Sequence, residues 1–193
     1  MSPPLTDRSD PDLVALALAG QQSAYGELMR RHREAVFRLA RGHAGDATEA
    51  LDITQETFIA AFAALARYDG ARPFRLWIAR IAINKCHDWA RRRSVRRFFT
   101  FARPIEEAGV VADFGQTPEE AAHSQAELAR INNAIAALPG NLKDVLVLRA
   151  IEEMSQADAA QTLGISEKAV ETRLYRARNK LSEMLRDEVE PRV

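Results

Sequence analysis

The stretch from Ser155 to Leu181 restricts the fold more than any other part of the sequence. A short helical pattern ends at Gly164, which supplies the left-handed backbone conformation that a tight turn needs. A second pattern follows Ser166, a residue type favoured at helix starts because its hydroxyl accepts a bond from a free backbone N–H. This order predicts a helix-turn-helix. Small apolar residues suit the wedge between its helices: Ala159, Leu163, Ile165 and Val170.

The second helix of this pair has two different sides when its residues are placed at about 100° intervals. The apolar side holds Val170, Leu174, Ala177 and Leu181. The opposite side mixes basic, amide and aromatic groups, with Glu171 at its edge and Arg173 beside it: Lys168, Thr172, Tyr175, Arg176 and Asn179. Arg and Lys pair with guanine and Asn pairs with adenine. We therefore predict a DNA-contacting face rather than an ordinary solvated one.

Charge is unevenly distributed along the chain, although the net charge is zero. Ten Arg or Lys residues and one acid, Asp88, lie between Arg72 and Arg103, whereas Pro104 to Gln125 holds five acids and no Arg or Lys. Such asymmetry indicates a surface for a polyanion beside an acidic segment. With 9 Gly and 8 Pro among 193 residues, the composition predicts an all-α fold.

The basic segment coincides with a long helix that is predicted to begin near Phe74. One side is apolar and is interpreted as core, including both tryptophans: Phe74, Trp77, Ile78, Ile81 and Trp89. Another side carries Arg80, Asn84, His87 and Arg91 at spacings of four, three and four. A cationic strip with an Asn can bind phosphates and hydrogen-bond to bases, so we predict a second nucleic-acid surface.

The chain divides into two helical domains and a linker where the helical periodicity of the sequence is interrupted. We predict a disordered N-terminus over 1–9, a first domain over 10–99, an acidic linker over 100–126, a second domain over 127–187 and a tail over 188–193. The third helix, near 46–66, is expected to bury one stripe: Leu51, Thr54, Phe58, Phe62 and Leu65. A separate acidic stripe holds Asp46, Glu49, Asp52 and Glu56.

Nothing in the sequence favours an enzyme or a bound cofactor. HExxH, CxxC, P-loop and GxSxG motifs are absent, and the neighbouring Cys86 and His87 point about 100° apart on a helix. We therefore expect no catalytic residue, no cofactor and no metal site, while a redox role for Cys86 stays open. The lack of an apolar run of about 20 residues and of a signal-peptide pattern favours a cytoplasmic protein.

Several segments resemble the extracytoplasmic-function (ECF) sigma factors of the sigma-70 family. Their sigma-2 domain is similar to Asp52-Ile-Thr-Gln-Glu-Thr-Phe58, Phe74-Arg-Leu-Trp-Ile78 and Arg80-Ile-Ala-Ile-Asn84, followed by Asp88 and Arg91-Arg92-Arg93. Their sigma-4 domain is similar to Leu138-Pro139 and to Val170-Glu-Thr-Arg-Leu-Tyr-Arg-Ala-Arg178 within the helix-turn-helix. The resemblance extends over about 10–185, with the linker in the expected place.

The resemblance implies a transcription initiation factor that works with the RNA polymerase core enzyme, promoter DNA and, in many members, an anti-sigma factor. Docking on the clamp helices of the largest polymerase subunit is expected for Asp52, Gln55 and Glu56. Recognition and melting of the minus-10 element are expected for Arg80, Asn84, His87, Arg91 and Arg92. Contacts to the minus-35 element are expected for Lys168, Glu171, Thr172, Arg173, Tyr175, Arg176 and Asn179. The linker is expected to pass near the polymerase active-site channel.

Two questions stay open from the sequence. A stand-alone helix-turn-helix regulator would explain the second domain, but not the acidic stripe or the second cationic helix. Glu171 stands where the family commonly has a basic residue. It can accept a hydrogen bond from cytosine. Alternatively, it can only orient Tyr175, four positions further along the helix, or Arg178, seven positions along on the same side.

Overall fold

The computed structural model describes the backbone of residues 4–99 and 118–187 and the side chains of residues 4–96 and 126–186. This part of the chain contains eight α-helices and no strand, as the all-α prediction requires. The helices are α1 Asp10–Leu18, α2 Gln22–Ala44, α3 Ala47–Ala63, α4 Phe74–Phe99, α5 Pro118–Ala137, α6 Gly140–Leu146, α7 Gln156–Leu163 and α8 Glu167–Asp187. Short 3-10 helices occupy Leu5–Asp7 and Leu65–Arg67, and a π-helical turn at Val147–Ile151 extends α6.

Local sequence signals set the ends of the first helices. Ser9 and Asp12 form a reciprocal capping box at the start of α1, which satisfies two backbone N–H groups that have no partner within the helix. The Asp46 carboxylate caps α3 by accepting a bond from the Glu49 N–H. Gly45, with a φ of 76°, ends α2 in the left-handed conformation. These caps explain why α2 and α3 are separated by so short a connection.

The first domain packs α1, α2, α3 and α4 around one core. The predicted buried residues Leu28, Val36, Leu39 and Ala40 of α2 are buried. In α3 the expected stripe is wrong at Leu51, whose surface is 54% exposed, because the buried side of α3 instead follows Ala50, Ile53, Thr57, Phe58 and Ala61. Trp89 is buried and Trp77 is half-buried against Phe74 and Tyr68, so both belong to the core side.

The N-terminal segment differs from the sequence expectation of disorder over 1–9. Within it, Leu5–Asp7 forms a 3-10 helix, and the carbonyls of Leu5 and Thr6 accept hydrogen bonds from the Arg31 guanidinium. The expectation is therefore wrong for this part, because a long-range contact satisfies its backbone. Residues 1–3 lie outside the described residues.

The second domain contains the predicted helix-turn-helix. The Ser155 hydroxyl caps α7, Gly164 makes the turn with a φ of 67°, and the Ser166 hydroxyl accepts from the Ala169 N–H at the start of α8. Ala159 and Val170 are fully buried in the wedge, with Leu163 and Ile165 half-buried. Helix α5 begins at Pro118, inside the segment predicted as linker, so helical structure starts earlier than the sequence suggested. The rest of the expected linker, 100–117, and the tail over 188–193 lie outside the described residues.

The two domains pack directly against each other and share one continuous core. Helix α2 lies so close to the π-helical turn that a Cβ atom on Gly42 would be 2.9 Å from Val147 Cγ2. Polar contacts border this region: Arg38 pairs with Glu152, with both nitrogen–oxygen distances at 3.1 Å, and Arg75 pairs with Asp158. No local pattern in the sequence predicts this contact between the two domains. Among the described residues, no helix has the length and apolar character needed to cross a membrane.

Candidate nucleic-acid interface

Helix α8 presents the face that the sequence predicted for DNA contact. Val170 and Ala177 are fully buried, and Leu174 and Leu181 are half-buried against the rest of the second domain. The opposite side is exposed at Lys168, Thr172, Tyr175, Arg176 and Asn179, and Arg173 is half-buried. Tyr175 is 68% exposed. The helix therefore offers a polar, basic surface on the second helix of the motif.

Glu171 lies on this exposed face and is paired within the helix. Lys168 Nζ donates to Glu171 Oε2 at 2.9 Å, one turn earlier. The partner is thus Lys168, whereas the sequence suggested Tyr175 or Arg178. Both members of the pair are largely exposed, so the ion pair is worth no more than about 1 kcal/mol. Glu171 can exchange this partner for a base or another cation at little cost.

The basic face of α4 is exposed at Arg80, Asn84 and Arg91, with His87 half-buried beside them. Arg91 pairs with Asp88 one turn away. Arg93 lies over the Trp89 ring, with its guanidinium carbon 5.1 Å from the ring centroid. Helix α4 therefore combines a buried apolar side with an exposed cationic side.

Two residues of this face contact the second domain. Arg80 Nη1 donates to the Thr162 carbonyl of α7 at 2.9 Å, and His87 Nε2 lies 2.9 Å from Asp144 Oδ1 of α6. In this arrangement the second domain covers part of the face predicted to bind the minus-10 element. The sequence does not predict these contacts, because each one joins residues that are 57 or more positions apart.

Arg92 is separated from the other predicted minus-10 residues. It projects toward α3, where its Nη2 donates to Glu56 Oε1 at 2.9 Å and to Oε2 at 3.0 Å. The pair joins a predicted DNA-binding residue to a predicted polymerase-binding residue. Both side chains are about half-exposed, so the pair can break at small cost.

The outer face of α3 is apolar as well as acidic. Asp52 and Gln55 are exposed, and beside them Leu51 is 54% and Ile59 is 70% exposed. Leu51, Gln55 and Ile59 recur every four residues and therefore share one side of the helix. Exposed apolar residues rimmed by polar ones mark interaction sites. The sequence pattern placed Leu51 in the core and therefore missed the apolar half of this surface. We call the surface formed by Leu51, Asp52, Gln55, Glu56 and Ile59 the α3 face.

A buried polar cluster joins the domains beneath the basic face of α4. Asp144 Oδ1 lies 2.9 Å from both His43 Nε2 and His87 Nε2. Although burial opposes ionisation, the two histidines hold the pKa of Asp144 below its ordinary value, and hydrogen bonding to Asp144 raises the pKa of His87. The sequence does not predict this cluster, since nothing local brings His43, His87 and Asp144 together.

Cys86 lies next to this cluster in the chain but has no exposed surface to react. It is 1% exposed, and burial raises the pKa of its thiol. Thiol reactivity requires the thiolate. The buried site therefore does not favour a redox role for Cys86.

Comparison with protein families assigns both domains. Residues 28–96 match the family described as Sigma-70 region 2, and residues 128–181 match the family described as Sigma-70, region 4. The first match includes α3 and most of α4, and the second includes the helix-turn-helix.

Curated proteins match nearly the whole chain. RNA polymerase sigma factor CnrH of Cupriavidus metallidurans is 43% identical over 180 residues, which cover 92% of this chain and 94% of that protein. ECF RNA polymerase sigma factor SigW of Bacillus subtilis is 32% identical, with coverages of 87% and 92%. The structure of CnrH in complex with the cytosolic domain of CnrY matches at a TM-score of 0.68 and 38% identity, covering 91% of this chain and 96% of that one.

Proposed function

The chain belongs to the ECF RNA polymerase sigma factors, and from this premise we propose which of its surfaces direct the core polymerase to promoters. The observation that carries the function is the full-length similarity, with the region 2 and region 4 matches in order along one chain. The residues assigned to each surface are our proposal. They rest on exposure, charge and position in the fold.

The exposed side of α8 contacts the minus-35 element in duplex DNA. The supporting observation is that this side of α8 is exposed, at Lys168, Thr172, Tyr175, Arg176 and Asn179. A helix in this position enters the major groove, where Arg, Lys and Asn can distinguish base pairs. Lys168, Arg173 and Arg176 are also placed to bind phosphates, which supplies affinity that depends on salt.

The basic side of α4 captures the minus-10 element. Arg80, Asn84 and Arg91 give exposed cationic and amide groups on one side of a rigid helix, and such a surface can hold the backbone and bases of a separated strand. His87 belongs to this set only when it leaves Asp144. Arg92 joins it only when it leaves Glu56.

The α3 face docks on the polymerase. Exposed Leu51 and Ile59 supply apolar area, and Asp52, Gln55 and Glu56 supply polar and acidic groups. Charge complementarity then fixes the orientation of the partner, while burial of the two apolar side chains contributes affinity. This face stays exposed while the domains are packed together, whereas two residues on the basic side of α4 are hydrogen-bonded to the second domain.

The packed arrangement is a resting state that must open before the minus-10 element binds. The second domain is hydrogen-bonded to Arg80 and His87, which we assign to the minus-10 element. CnrH has been solved with the cytosolic domain of CnrY, and a structure of the sigma factor RpoE with the anti-sigma factor NepR shares the fold at 21% identity. By analogy with CnrH, we propose that a partner protein holds this chain in the cytoplasm until it is released. The acidic linker then passes near the polymerase active site.

Run-off transcription with purified core polymerase tests the function. We expect transcripts from a cognate promoter only when the chain, core enzyme and both promoter elements are present. The chain acts through binding, and the chemistry belongs to the polymerase. Promoter binding with no dependence on core polymerase would instead favour a stand-alone helix-turn-helix regulator.

Reversing charge on the α3 face tests the docking site. Asp52→Lys combined with Glu56→Lys should weaken core polymerase binding by at least about tenfold, because like charges facing across an interface cost on the order of several kcal/mol. The measurement is a core polymerase titration in solution. Glu34→Lys combined with Glu183→Lys changes net charge equally at exposed acids elsewhere and should bind normally. Equal affinity for both double variants would remove the docking assignment.

A further inference from the structure

The contact between the domains contains a carboxylate held between two imidazole rings. Asp144 comes from α6 of the second domain, whereas His43 and His87 come from α2 and α4 of the first. His43 and Asp144 are 4% and 6% exposed. His43 and His87 therefore meet Asp144, which lies 101 and 57 positions further along the chain, in a largely buried polar site between the domains.

Each ring nitrogen of His43 faces an acceptor, and a neutral imidazole, which has one N–H, cannot donate to both. Its Nδ1 lies 2.9 Å from the Leu39 carbonyl oxygen. A carbonyl can only accept, so Nδ1 carries the proton. In a neutral ring Nε2 then directs a lone pair at the Asp144 carboxylate, which is also an acceptor. A cation between Nε2 and the carboxylate removes this repulsion, and that cation is either a second ring proton or a metal ion.

The same geometry is common around metal ligands. A ligating histidine usually donates its other N–H to a carbonyl or carboxylate, which fixes the tautomer and the ring direction. Here the bond to Leu39 directs Nε2 of His43 toward Asp144 and His87. The ring of His87 lies 6.4 Å from that of His43, centroid to centroid.

We propose that His43, His87 and Asp144 form a site for a divalent transition metal of the Zn²⁺ class that joins the two domains. One ligand atom from each residue lies within 4.8 Å of the others. Ligand bonds of about 2.0–2.2 Å put tetrahedral ligand atoms about 3.4 Å apart, so movements of less than about 1 Å complete the set. Two imidazoles and one carboxylate are the donors that this metal class takes.

Solvent access and local charge are compatible with binding. The His87 side chain is 43% exposed, which gives an entry path and room for water as a fourth ligand. Lys143 is the neighbouring cation, but its Nζ donates to the carbonyls of Ala136 and His43 rather than to Asp144. The site therefore keeps its carboxylate available for the metal.

A metal in this position stabilises the packed domains. Its ligands converge only when the domains are in contact, so the ion binds the packed arrangement more tightly and shifts the population toward it. Because His87 belongs to the basic side of α4, an occupied site also withholds a residue that we assign to minus-10 DNA. This last consequence alone rests on the proposed function.

Zn²⁺ titration of the full-length, metal-stripped chain tests the site by calorimetry, with Co²⁺ absorption as a second readout. We expect one equivalent bound, a tetrahedral Co²⁺ spectrum and a Zn²⁺-dependent rise in Tm. His87→Gln should weaken binding by at least about tenfold and remove the Tm rise. Its side chain is half-exposed, so the variant should fold. Asp144→Asn, which keeps the side-chain size, should do the same.

His32→Gln is the matched control, because His32 forms a similar pair with Asp10, at 2.9 Å, inside the first domain. It should bind Zn²⁺ as the parent does. Two results would overturn the proposal. One is a parent chain that binds no Zn²⁺, and the other is a His87→Gln variant that binds it as tightly as the parent. Both results concern Zn²⁺ binding only and say nothing about polymerase-dependent transcription by the parent chain. The metal site and the proposed function can therefore fail independently.

Discussion

At the scale of single residues, we expect side chains of α8 to set which DNA sequence is preferred, and Glu171 is the most informative of them. It carries a negative charge on the face that we assign to the minus-35 element. Its present partner is Lys168, and this exposed pair contributes little to stability. Glu171 is therefore free to act on DNA either by accepting from cytosine or by repelling nearby phosphate.

Replacing Glu171 with Arg separates these roles. The added phosphate contact should steepen the log–log dependence of promoter binding on salt by about 0.9. If Glu171 contacts a base, the preferred minus-35 sequence should also shift at one or two positions. Selection from a randomised element, performed with parent and variant, measures this. Unchanged preference would show that Glu171 has no direct part in base recognition, and Glu183→Arg controls for added charge.

Glu27 is a residue whose charge matters for folding rather than for function. It is 8% exposed and accepts hydrogen bonds from Arg30 and Arg31, which lower its pKa from 4.5 to about 2. A carboxyl whose pKa is lower in the folded state stabilises that state above its unfolded pKa. The stabilisation is lost as pH falls from 4.5 toward 2.

Glu27→Gln should accordingly lower the free energy of unfolding at pH 7, and its difference from the parent should shrink as the pH falls below 4.5. Urea unfolding at several pH values measures this difference. Glu34→Gln, at an exposed position of the same helix, should show almost no difference at any pH. A pH-independent difference for Glu27→Gln would mean that packing rather than charge is responsible.

Among the helices, α4 has two different sides. Its apolar side completes the core of the first domain, and its cationic side contacts the second domain and is the side that we assign to DNA. Arg80 belongs to that assignment but also donates to the Thr162 carbonyl in the packed state. Asn84 is exposed, and it is therefore the cleaner test of the DNA role.

Asn84→Ala should leave core polymerase binding unchanged but reduce promoter melting, because an amide that can bond to bases of the separated strand is lost. Permanganate reactivity of the minus-10 region measures the open complex. Lys85→Ala, one position along and turned by about 100°, should melt the promoter more nearly as the parent does. Equal reactivity in the parent and in Asn84→Ala would remove this face from the minus-10 assignment.

At the scale of the whole molecule, the two domains pack into one continuous core, and our proposed resting state depends on this packing. The close approach of α2 to the π-helical turn depends on Gly42. A Cβ there would lie 2.9 Å from Val147 Cγ2 and 3.1 Å from Ile151 Cδ1. Val147 is fully buried and stiff about its first side-chain torsion, so it cannot easily yield.

Gly42→Ala should therefore shift the chain toward separated domains while each domain remains folded. Alanine favours the helix by about 1 kcal/mol over glycine, so helicity should not fall. Small-angle scattering should show a larger radius of gyration, and circular dichroism should be unchanged. Gly26→Ala is the control in the same helix, where a Cβ would have no neighbour within 4 Å. Equal radii for the two variants would contradict a role of Gly42 in the packing.

The sequence by itself determined the helices, the helix-turn-helix and the exposed side of α8. These depend on local signals such as the Ser155 cap, the Gly164 turn and a period of about 3.6 residues, which act within a few positions of the chain. It predicted the basic side of α4 for the same reason. It misplaced Leu51 because an apolar residue at helical spacing can face either a core or a partner.

Only the tertiary structure decided what these surfaces contact. Arg80 meets Thr162, Arg92 meets Glu56, and His43 and His87 meet Asp144 through contacts that span tens of positions. Local propensity carries no information on such pairs. They form because two domains bury a common apolar core, and that burial sets which polar groups are brought together and must satisfy one another.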